Sequence, residues 1–318
     1  MRVGANRGAG TRPSGVYVMS PIAVIAMAYG TPRHEEELEA YYTDIRRGRP
    51  PLPEQLADLR RRYDAIGGLS PLARLTTAQA DALQHALNKL VPDGYRVFQG
   101  LKHASPMVEA GVAAAAQSGC TQAIGLVFAP HYSAFSIGQY HGRATAAATE
   151  LGLTFNGVDS WHVMPEYVAF LAAAVRSQLA TMPVGTRVVF TAHSLPERIL
   201  AAGDRYPDEL AATAAAVACE VGLETHDVAY QSAGRTPEPW LGPDILEYLR
   251  GAAMASMPGV LVCACGFVAD HLEVLFDLDI EAVALAESLA LPFARTEMLN
   301  TDATVIRALA HLVVAASS

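Results

Sequence analysis

Short apolar segments alternate with longer amphipathic segments along most of the chain, and this alternation constrains the fold most strongly. The first apolar run, Ile22–Ala28, is uninterrupted, which is typical of a parallel strand covered on both faces. Further strands are predicted at Tyr95–Leu101, 123–129, 154–160, 187–192, 228–231 and 260–265, with a predicted helix between each pair. Strand–helix alternation at this spacing predicts an α/β protein with parallel, doubly wound sheets.

The length of 318 residues allows two such sheets. A cut near residue 160 leaves two halves of similar plan. We predict a flexible N-terminal tail at 1–18, a first domain at 19–160 and a second domain at 161–301. The last helix, 302–316, is expected to join the first domain.

Composition restricts the class of protein. Hydrophobic residues make up 51% of the chain and charged residues 17%, which favours a compact globular protein. The net charge of −9 argues against nucleic-acid binding. No apolar run reaches the ~18 residues of a membrane span, so we expect no integral membrane segment. Four cysteines without a C-x-x-C pair favour a cytoplasmic protein. Met19 is a candidate start, because residues 1–18 lack the apolar core of a signal peptide.

Three carboxylates follow the last predicted strand at helical spacing. Glu273, Asp277 and Glu281 are four residues apart, so a helix over 272–281 would place them on one side. Like charges at this spacing repel each other. One interpretation is a solvated acidic face, and the other is a track for a cation or for protons at the carboxyl edge of a sheet, where open α/β proteins bind ligands.

Other polar motifs also follow predicted strands. His193 lies in AHSLP (192–196), Trp240 in the proline-rich loop 230–243, and Lys102 and His103 in GLKH (100–103). Each is well placed for a site, and each also has a purely structural interpretation. Two thiols on one side of the strand at 260–265 are expected to be small core side chains.

These motifs, taken in order, resemble the ferrochelatase family, in particular the monoderm-bacterial type that metallates coproporphyrin III. The matching blocks are MAYGTP (27–32), YTDIRRGR (42–49), IGGLSPL (66–72), GLKH (100–103), AHSLP (192–196), PWLGP (239–243) and GFVADHLEVL (266–275). They extend over nearly the whole chain. The combination of the last three blocks is the specific part of the resemblance.

The resemblance implies two Rossmann-like domains, each with a parallel four-stranded sheet flanked by helices, and an active cleft between them. It implies insertion of Fe²⁺, as a substrate, into a tetrapyrrole without an organic cofactor. His193 and Glu273 match the catalytic pair, which is expected to bind Fe²⁺ from opposite sides of the porphyrin. Asp277 and Glu281 match an acidic relay on a helix with a π-type distortion. Arg62 and Asp277 match a peripheral site for a hydrated cation such as Mg²⁺.

The resemblance also implies a set of porphyrin-binding residues. These are Tyr29, Arg46, Arg47, Ser70, Lys102, His103, Tyr140 and Trp240. A [2Fe-2S] cluster is not expected, because no cysteine follows Cys265. His271 is expected to be structural, pointing away from the face of Glu273.

Charge favours coproporphyrin III as the porphyrin. It carries four propionates, and the acidic chain nonetheless places Arg46, Arg47 and Arg49 in one loop. Arginine binds carboxylates through paired hydrogen bonds. The alternatives are a protoporphyrin IX ferrochelatase and a non-catalytic porphyrin or haem carrier. We expect a monomer that makes transient contact with the downstream coproheme decarboxylase.

Overall fold

The computed structural model describes residues 20–234 and 236–317. The predicted tail at 1–18 and the candidate start Met19 lie outside the described residues. Within the described ranges the chain forms two parallel sheets, each of four strands.

The first sheet has the strand order β2-β1-β3-β4. Its strands are β1 (Ile22–Ala28), β2 (Tyr95–Leu101), β3 (Gln122–Val127) and β4 (Thr154–Val158). Strand β1 is central, and Ala23 to Met27 are fully buried, as the continuous apolar run predicts.

The second sheet has the order β6-β5-β7-β8. Its strands are β5 (Arg187–His193), β6 (Asp227–Gln231), β7 (Val260–Cys263) and β8 (Phe293–Arg295). The predicted α/β class with two parallel four-stranded sheets is confirmed. Strand β8 itself was not located by the sequence pattern, because three residues are too few to show a periodicity. Strand β7 ends two residues earlier than predicted, at a tight turn in which the amide of Cys265 bonds to the carbonyl of Cys263 (2.8 Å).

Twelve α-helices are described around the sheets. They are α1 (Leu38–Ile45), α2 (Pro53–Ala65), α3 (Leu72–Leu90), α4 (Val108–Gln117), α5 (Ile137–Leu151), α6 (Pro165–Leu179), α7 (Arg198–Ala201), α8 (Tyr206–Val221), α9 (Ile245–Met254), α10 (Leu272–Leu275), α11 (Val283–Ser288) and α12 (Ala303–Ala316). The single helix predicted over 272–281 is divided: α10 passes into a π-helical segment, Asp277–Ala282, which then continues as α11. None of the helices in the described ranges is long and apolar enough to cross a membrane.

The last helix returns to the first sheet. Helix α12 packs against α3, and its buried face includes Val305, Leu309 and Val313. Asn156 of β4 donates a hydrogen bond to the carbonyl of Ala316 (3.0 Å). These contacts support assigning 302–316 to the first domain, although the domain boundaries at 19–160 and 161–301 stay a prediction.

The two sheets share one apolar core. A single cluster of buried side chains includes Val24 and Leu126 of the first sheet and Phe190 and Leu261 of the second. Because the strands of each sheet are parallel, their carboxyl ends lie at one edge, and the loops that follow β1, β2, β5, β6 and β7 carry most of the predicted site residues.

One close backbone approach locates the loop between β7 and α10. The amide of Gly266 donates to the carbonyl of Thr191 in β5 (2.9 Å), and a Cβ on Gly266 would lie 2.6 Å from the Cα of Ala192. A side chain at this position would therefore push the loop away from the strand that ends in His193.

We predict that Gly266→Ala destabilises the protein by ~1–3 kcal/mol through overpacking. Gly251→Ala is the matched control, because Gly251 lies inside α9 with no atom within 4 Å of an added Cβ. It should stabilise the protein by ~0.5–1 kcal/mol. Urea unfolding of both variants measures the difference, and equal unfolding free energies would contradict the close approach.

Candidate active site

His193 and Glu273 lie together at the carboxyl edge of the second sheet. His193 is the last residue of β5 and Glu273 is the second residue of α10, and the His193 Nε2 and Glu273 Oε1 atoms are 3.6 Å apart. Each side chain is 34% exposed, so both line a cleft that solvent and a ligand can enter. The expectation that the two residues face opposite sides of a porphyrin is wrong. Atoms stacked on the two faces of a flat ring would be ~7 Å apart, since each contact needs ~3.5 Å.

The two side chains stabilise each other's charge. Burial alone would raise the pKa of Glu273, but the adjacent His193 and His271 bring this pKa well below its usual range. Burial lowers the pKa of His193, but the negative charge of Glu273 outweighs it, so the pKa of His193 is raised above its ordinary value. Each of the two charges therefore stabilises the other.

Hydrogen bonds define which nitrogen of His193 is available. Its Nδ1 contacts the carbonyl of Ser194, which can only accept, so Nδ1 carries a proton. Nε2 then holds the free electron pair in the neutral imidazole, and it faces Glu273 and the cleft. This tautomer suits a proton acceptor or a metal ligand.

His271 also belongs to the site, contrary to the expectation that it points away. Its Nε2 lies 3.6 Å from the Glu273 Oε2, and its Nδ1 bonds to the carbonyl of Ala269 (2.9 Å). The expectation failed because His271 precedes α10 with an extended backbone (φ −158°, ψ 178°), so helical periodicity does not govern its direction. The sequence signal that could have assigned His271 to the site is its position directly before the acidic helix.

Asp277 and Glu281 continue from Glu273 along the π-helical segment. The amide of Glu281 bonds to the carbonyl of Phe276 (2.9 Å), five residues back, so each turn is wider than in an α-helix. Asp277 is nearly buried and accepts a short hydrogen bond from Ser232. Burial, together with the neighbouring charges of Glu273 and Glu281, raises the pKa of Asp277 to about 6, although Ser232 and Arg62 oppose the change. Ser232 was not predicted, although it follows a strand end.

Arg62 lies in α2, which belongs to the half of the chain that forms the first sheet, and it contacts Asp277 across the cleft. Its guanidinium lies 3.7 Å from Asp277 Oδ1 and 3.2 Å from Asp58, and it stacks over the ring of Phe276 at 4.9 Å. Arg62 and Asp277, the two residues of the predicted peripheral cation site, are thus in contact across the two halves of the chain.

Tyrosines surround Glu273 on the side of the first sheet. Tyr29 follows β1 and is 40% exposed, whereas Tyr63 is buried and bonds to Thr31 (2.9 Å). Burial and the charge of Glu273 raise the pKa of Tyr29 above its usual range, and burial raises that of Tyr63 to about 12. Both hydroxyls therefore stay protonated near neutral pH.

Lys102 and His103 follow β2 in the same cleft. The Lys102 ammonium lies 5.3 Å from the ring centre of Tyr140, and burial, helped by Arg143 and Arg47, lowers its pKa to about 8. The His103 ring lies 4.6 Å from that of Tyr29, and its Nδ1 is 2.6 Å from Asp44.

The remaining predicted residues occupy the margins of the cleft. Arg46 and Arg47 end α1; Arg46 bonds to the carbonyl of Arg49 (3.3 Å), and Arg47 is exposed with a left-handed backbone (φ 57°). Ser70 is buried, and its hydroxyl accepts from the amide of Leu72 (3.2 Å) at the start of α3. The described contacts do not join Ser70 or Arg46 to the His193–Glu273 pair.

Trp240 lies on the loop that follows β6. This loop pairs with the histidine loop through a bridge between Trp240 and Pro196, and the amide of Leu241 donates to the carbonyl of Leu195 (2.9 Å). The indole nitrogen bonds to Thr236 (3.0 Å). The PWLGP block therefore supports the backbone next to His193. Cys263 and Cys265 are both buried, in keeping with core packing.

Comparisons with known proteins agree with this geometry. The family model described as Ferrochelatase matches residues 21–317. The coproporphyrin III ferrochelatase of Geobacillus kaustophilus (strain HTA426) is 44% identical over 303 residues, covering 93% of this chain and 96% of that protein. The coproporphyrin III ferrochelatase of Bacillus subtilis (strain 168) is 42% identical over 299 residues, covering 92% and 96%.

Among solved structures, SirB from Bacillus subtilis with Fe³⁺ has a similar fold. The TM-score is 0.60 at 12% identity, and the match covers 94% of this chain and 96% of SirB. At this identity the likeness concerns the fold alone. The family match over nearly the whole chain, together with the identity to curated relatives, establishes that this chain belongs to the ferrochelatase family.

Proposed function

We propose that this protein inserts Fe²⁺ into coproporphyrin III and releases two protons, yielding iron-coproporphyrin III for haem biosynthesis. The observation that carries the proposal is the His193–Glu273 pair, 3.6 Å apart in an open cleft at the carboxyl edge of the second sheet. Relatives named coproporphyrin III ferrochelatase, 42–44% identical over most of the chain, support the choice of reaction and porphyrin.

The reaction needs a proton acceptor and a ligand for iron as it loses water. We assign His193 as the leading proton acceptor and transient ligand of Fe²⁺, because its Nε2 electron pair faces the cleft. Imidazole and carboxylate both bind Fe²⁺, and both accept protons near neutral pH. Glu273 supports the imidazolium that forms and passes protons or metal towards Asp277 and Glu281.

A peripheral cation site is proposed at Arg62 and Asp277. Among the residues that the structure describes, no group of three His, Cys, Asp or Glu side chains is arranged to hold a metal ion directly. The Asp277 carboxylate would accept hydrogen bonds from the waters of a hydrated cation such as Mg²⁺, which keeps several of its waters in proteins. Such a cation would supply local positive charge that favours the ionised form of Asp277.

Porphyrin binding is assigned to the cationic and aromatic side of the cleft. Lys102 with its lowered pKa, together with Arg46 and Arg47, would pair with propionates, and Tyr29 would lie against the ring. His103, Tyr140, Ser70 and Trp240 complete the proposed binding set. No organic cofactor and no [2Fe-2S] cluster enter this proposal.

The setting of the enzyme is also proposed. We place it in the cytoplasm as a monomer that passes its product to a coproheme decarboxylase by transient contact. The acidic net charge of −9 and the compact α/β fold are compatible with this setting.

The first test concerns the catalytic pair. His193→Ala and Glu273→Ala should each lower kcat by ~10²-fold or more, because a positioned acid–base group contributes ~10²–10⁴-fold. Anaerobic iron insertion, followed by the loss of porphyrin fluorescence, measures kcat. His85→Ala, on the exposed face of α3, is the control and should keep the wild-type rate. Unchanged insertion in both site variants would refute the assigned mechanism, whereas a wild-type protein that binds porphyrin without inserting iron would favour a porphyrin carrier.

The second test concerns the porphyrin. Arg46→Ala and Arg47→Ala should each raise KM for coproporphyrin III ~10-fold or more, because a hydrogen bond to a charged group contributes ~1.5–3 kcal/mol. The effect on protoporphyrin IX, which has fewer propionates, should be smaller. Arg96→Ala, at the opposite end of β2, is the control. Wild-type turnover of protoporphyrin IX equal to or above that of coproporphyrin III would overturn the choice of substrate.

The third test concerns the pKa of Asp277. Its pKa of about 6 in the folded protein exceeds the ordinary value of 3.8, so the folded state binds more protons between these pH values. The unfolding free energy should therefore fall by ~3 kcal/mol from this group as the pH rises through this window. Asp277→Asn cannot ionise, so it should gain that amount relative to wild type between pH ~4 and pH ~6.5. Urea unfolding across this range measures the difference, and a constant difference would contradict the raised pKa.

A further inference from the structure

The members of the His193–Glu273 pair are carried by different elements. His193 ends β5, whereas Glu273 lies in α10, the first turn of a helical segment that continues to Ser288. The hydrogen bonds within this segment fix its own shape but not its position relative to β5. The contacts of Glu273 with His193 and His271 are both 3.6 Å, too long for strong hydrogen bonds. Something else must locate the backbone of Glu273 relative to β5.

Gln231 provides a direct connection between these elements. It is the last residue of β6, lies opposite His193 in the sheet register and is fully buried. Its side-chain Nε2 donates a hydrogen bond to the carbonyl of Glu273 (3.0 Å). The hydroxyl of Thr191 donates to the other end of the same amide, Oε1, at 3.0 Å.

The backbone of Gln231 completes the connection. Its carbonyl accepts from the amide of Ser194 (2.7 Å), the residue whose carbonyl fixes the tautomer of His193. The orientation of the side-chain amide is fixed by its partners, because only the NH₂ end can donate to the Glu273 carbonyl. One residue thus binds β5 on both sides of His193 and α10 at Glu273.

We propose that Gln231 is a positioning residue that holds Glu273 within reach of His193 during metal insertion. The inference rests on the proposed catalytic roles of His193 and Glu273. Gln231 does not itself touch the reacting atoms in this assignment. It acts by fixing the backbone from which the Glu273 carboxylate projects.

Gln231→Met tests the proposal, because methionine has a similar volume and removes both side-chain hydrogen bonds. We expect kcat for iron insertion to fall ~10- to 100-fold, since a misplacement of ~1 Å can cost ~10²-fold in rate. KM for coproporphyrin III should stay at its wild-type value, because the porphyrin-binding residues lie elsewhere. If the substitution only reduced the amount of folded protein, kcat calculated per folded molecule would stay at its wild-type value. A lower kcat per folded molecule with an unchanged KM therefore indicates a positioning role.

Gln84→Met is the control for the loss of a side-chain amide that is hydrogen-bonded at both ends. Gln84 of α3 also uses both ends of its side chain, accepting from the amide of Val97 (2.7 Å) and donating to the carbonyl of Tyr95 (3.0 Å). It lies at the far edge of the first sheet from the cleft. Gln84→Met should lower the Tm while leaving kcat of the folded enzyme unchanged.

A double-mutant cycle with Glu273→Gln separates positioning from a general structural effect. If Gln231 acts through the Glu273 carboxylate, Gln231→Met should cause little further loss once that carboxylate is gone. Additive losses, or a wild-type kcat in Gln231→Met, would overturn the inference. If His193→Ala and Glu273→Ala also left insertion unchanged, the proposed catalytic roles of these two residues would fail instead, and if the wild-type protein inserted no iron, the proposed function would fail.

Discussion

The site depends on the contact between the β7–α10 loop and strand β5. The amide of Gly266 bonds to the carbonyl of Thr191, and there is no room for a side chain between the two backbones. This contact places the start of the acidic helix beside the end of β5, so that Glu273 meets His193. The parallel arrangement of both sheets brings the loops of the first sheet to the same cleft, where Tyr29 and Lys102 lie.

The electrostatics of the cleft follow from this placement. Glu273 would be costly to bury alone, but His193 and His271 on either side stabilise its charge. Among the residues that the structure describes, the cationic partner of Asp277 is Arg62, which is 3.7 Å away and also contacts Asp58. Two carboxylates on one helix therefore differ in proton affinity, because one is paired with histidines and the other is mainly desolvated.

Sequence reasoning predicted the fold and placed His193 and Glu273 after predicted strands, but it did not predict the geometry between these two residues. Strands such as β1 could be predicted because an apolar run reports burial on both faces, whereas β8 is too short to show a pattern. His193 and Glu273 could be predicted from their position after strands and from the family resemblance. The role of His271 depends on an extended backbone before α10, and that of Gln231 on cross-strand register. Neither is encoded in local periodicity, so neither could be predicted from it.

The difference in pKa between Glu273 and Asp277 determines the direction in which a proton moves between them. A proton passes spontaneously to the group of higher pKa, and the pKa of Asp277, about 6, is well above that of Glu273. A proton on Glu273 would thus be favoured to move to Asp277 in the π-helical segment. A cation at Arg62 and Asp277 would lower the pKa of Asp277 and weaken this preference. Metal delivery and proton removal along the same carboxylates would therefore compete. This competition favours a mechanism in which the two processes occur one after the other.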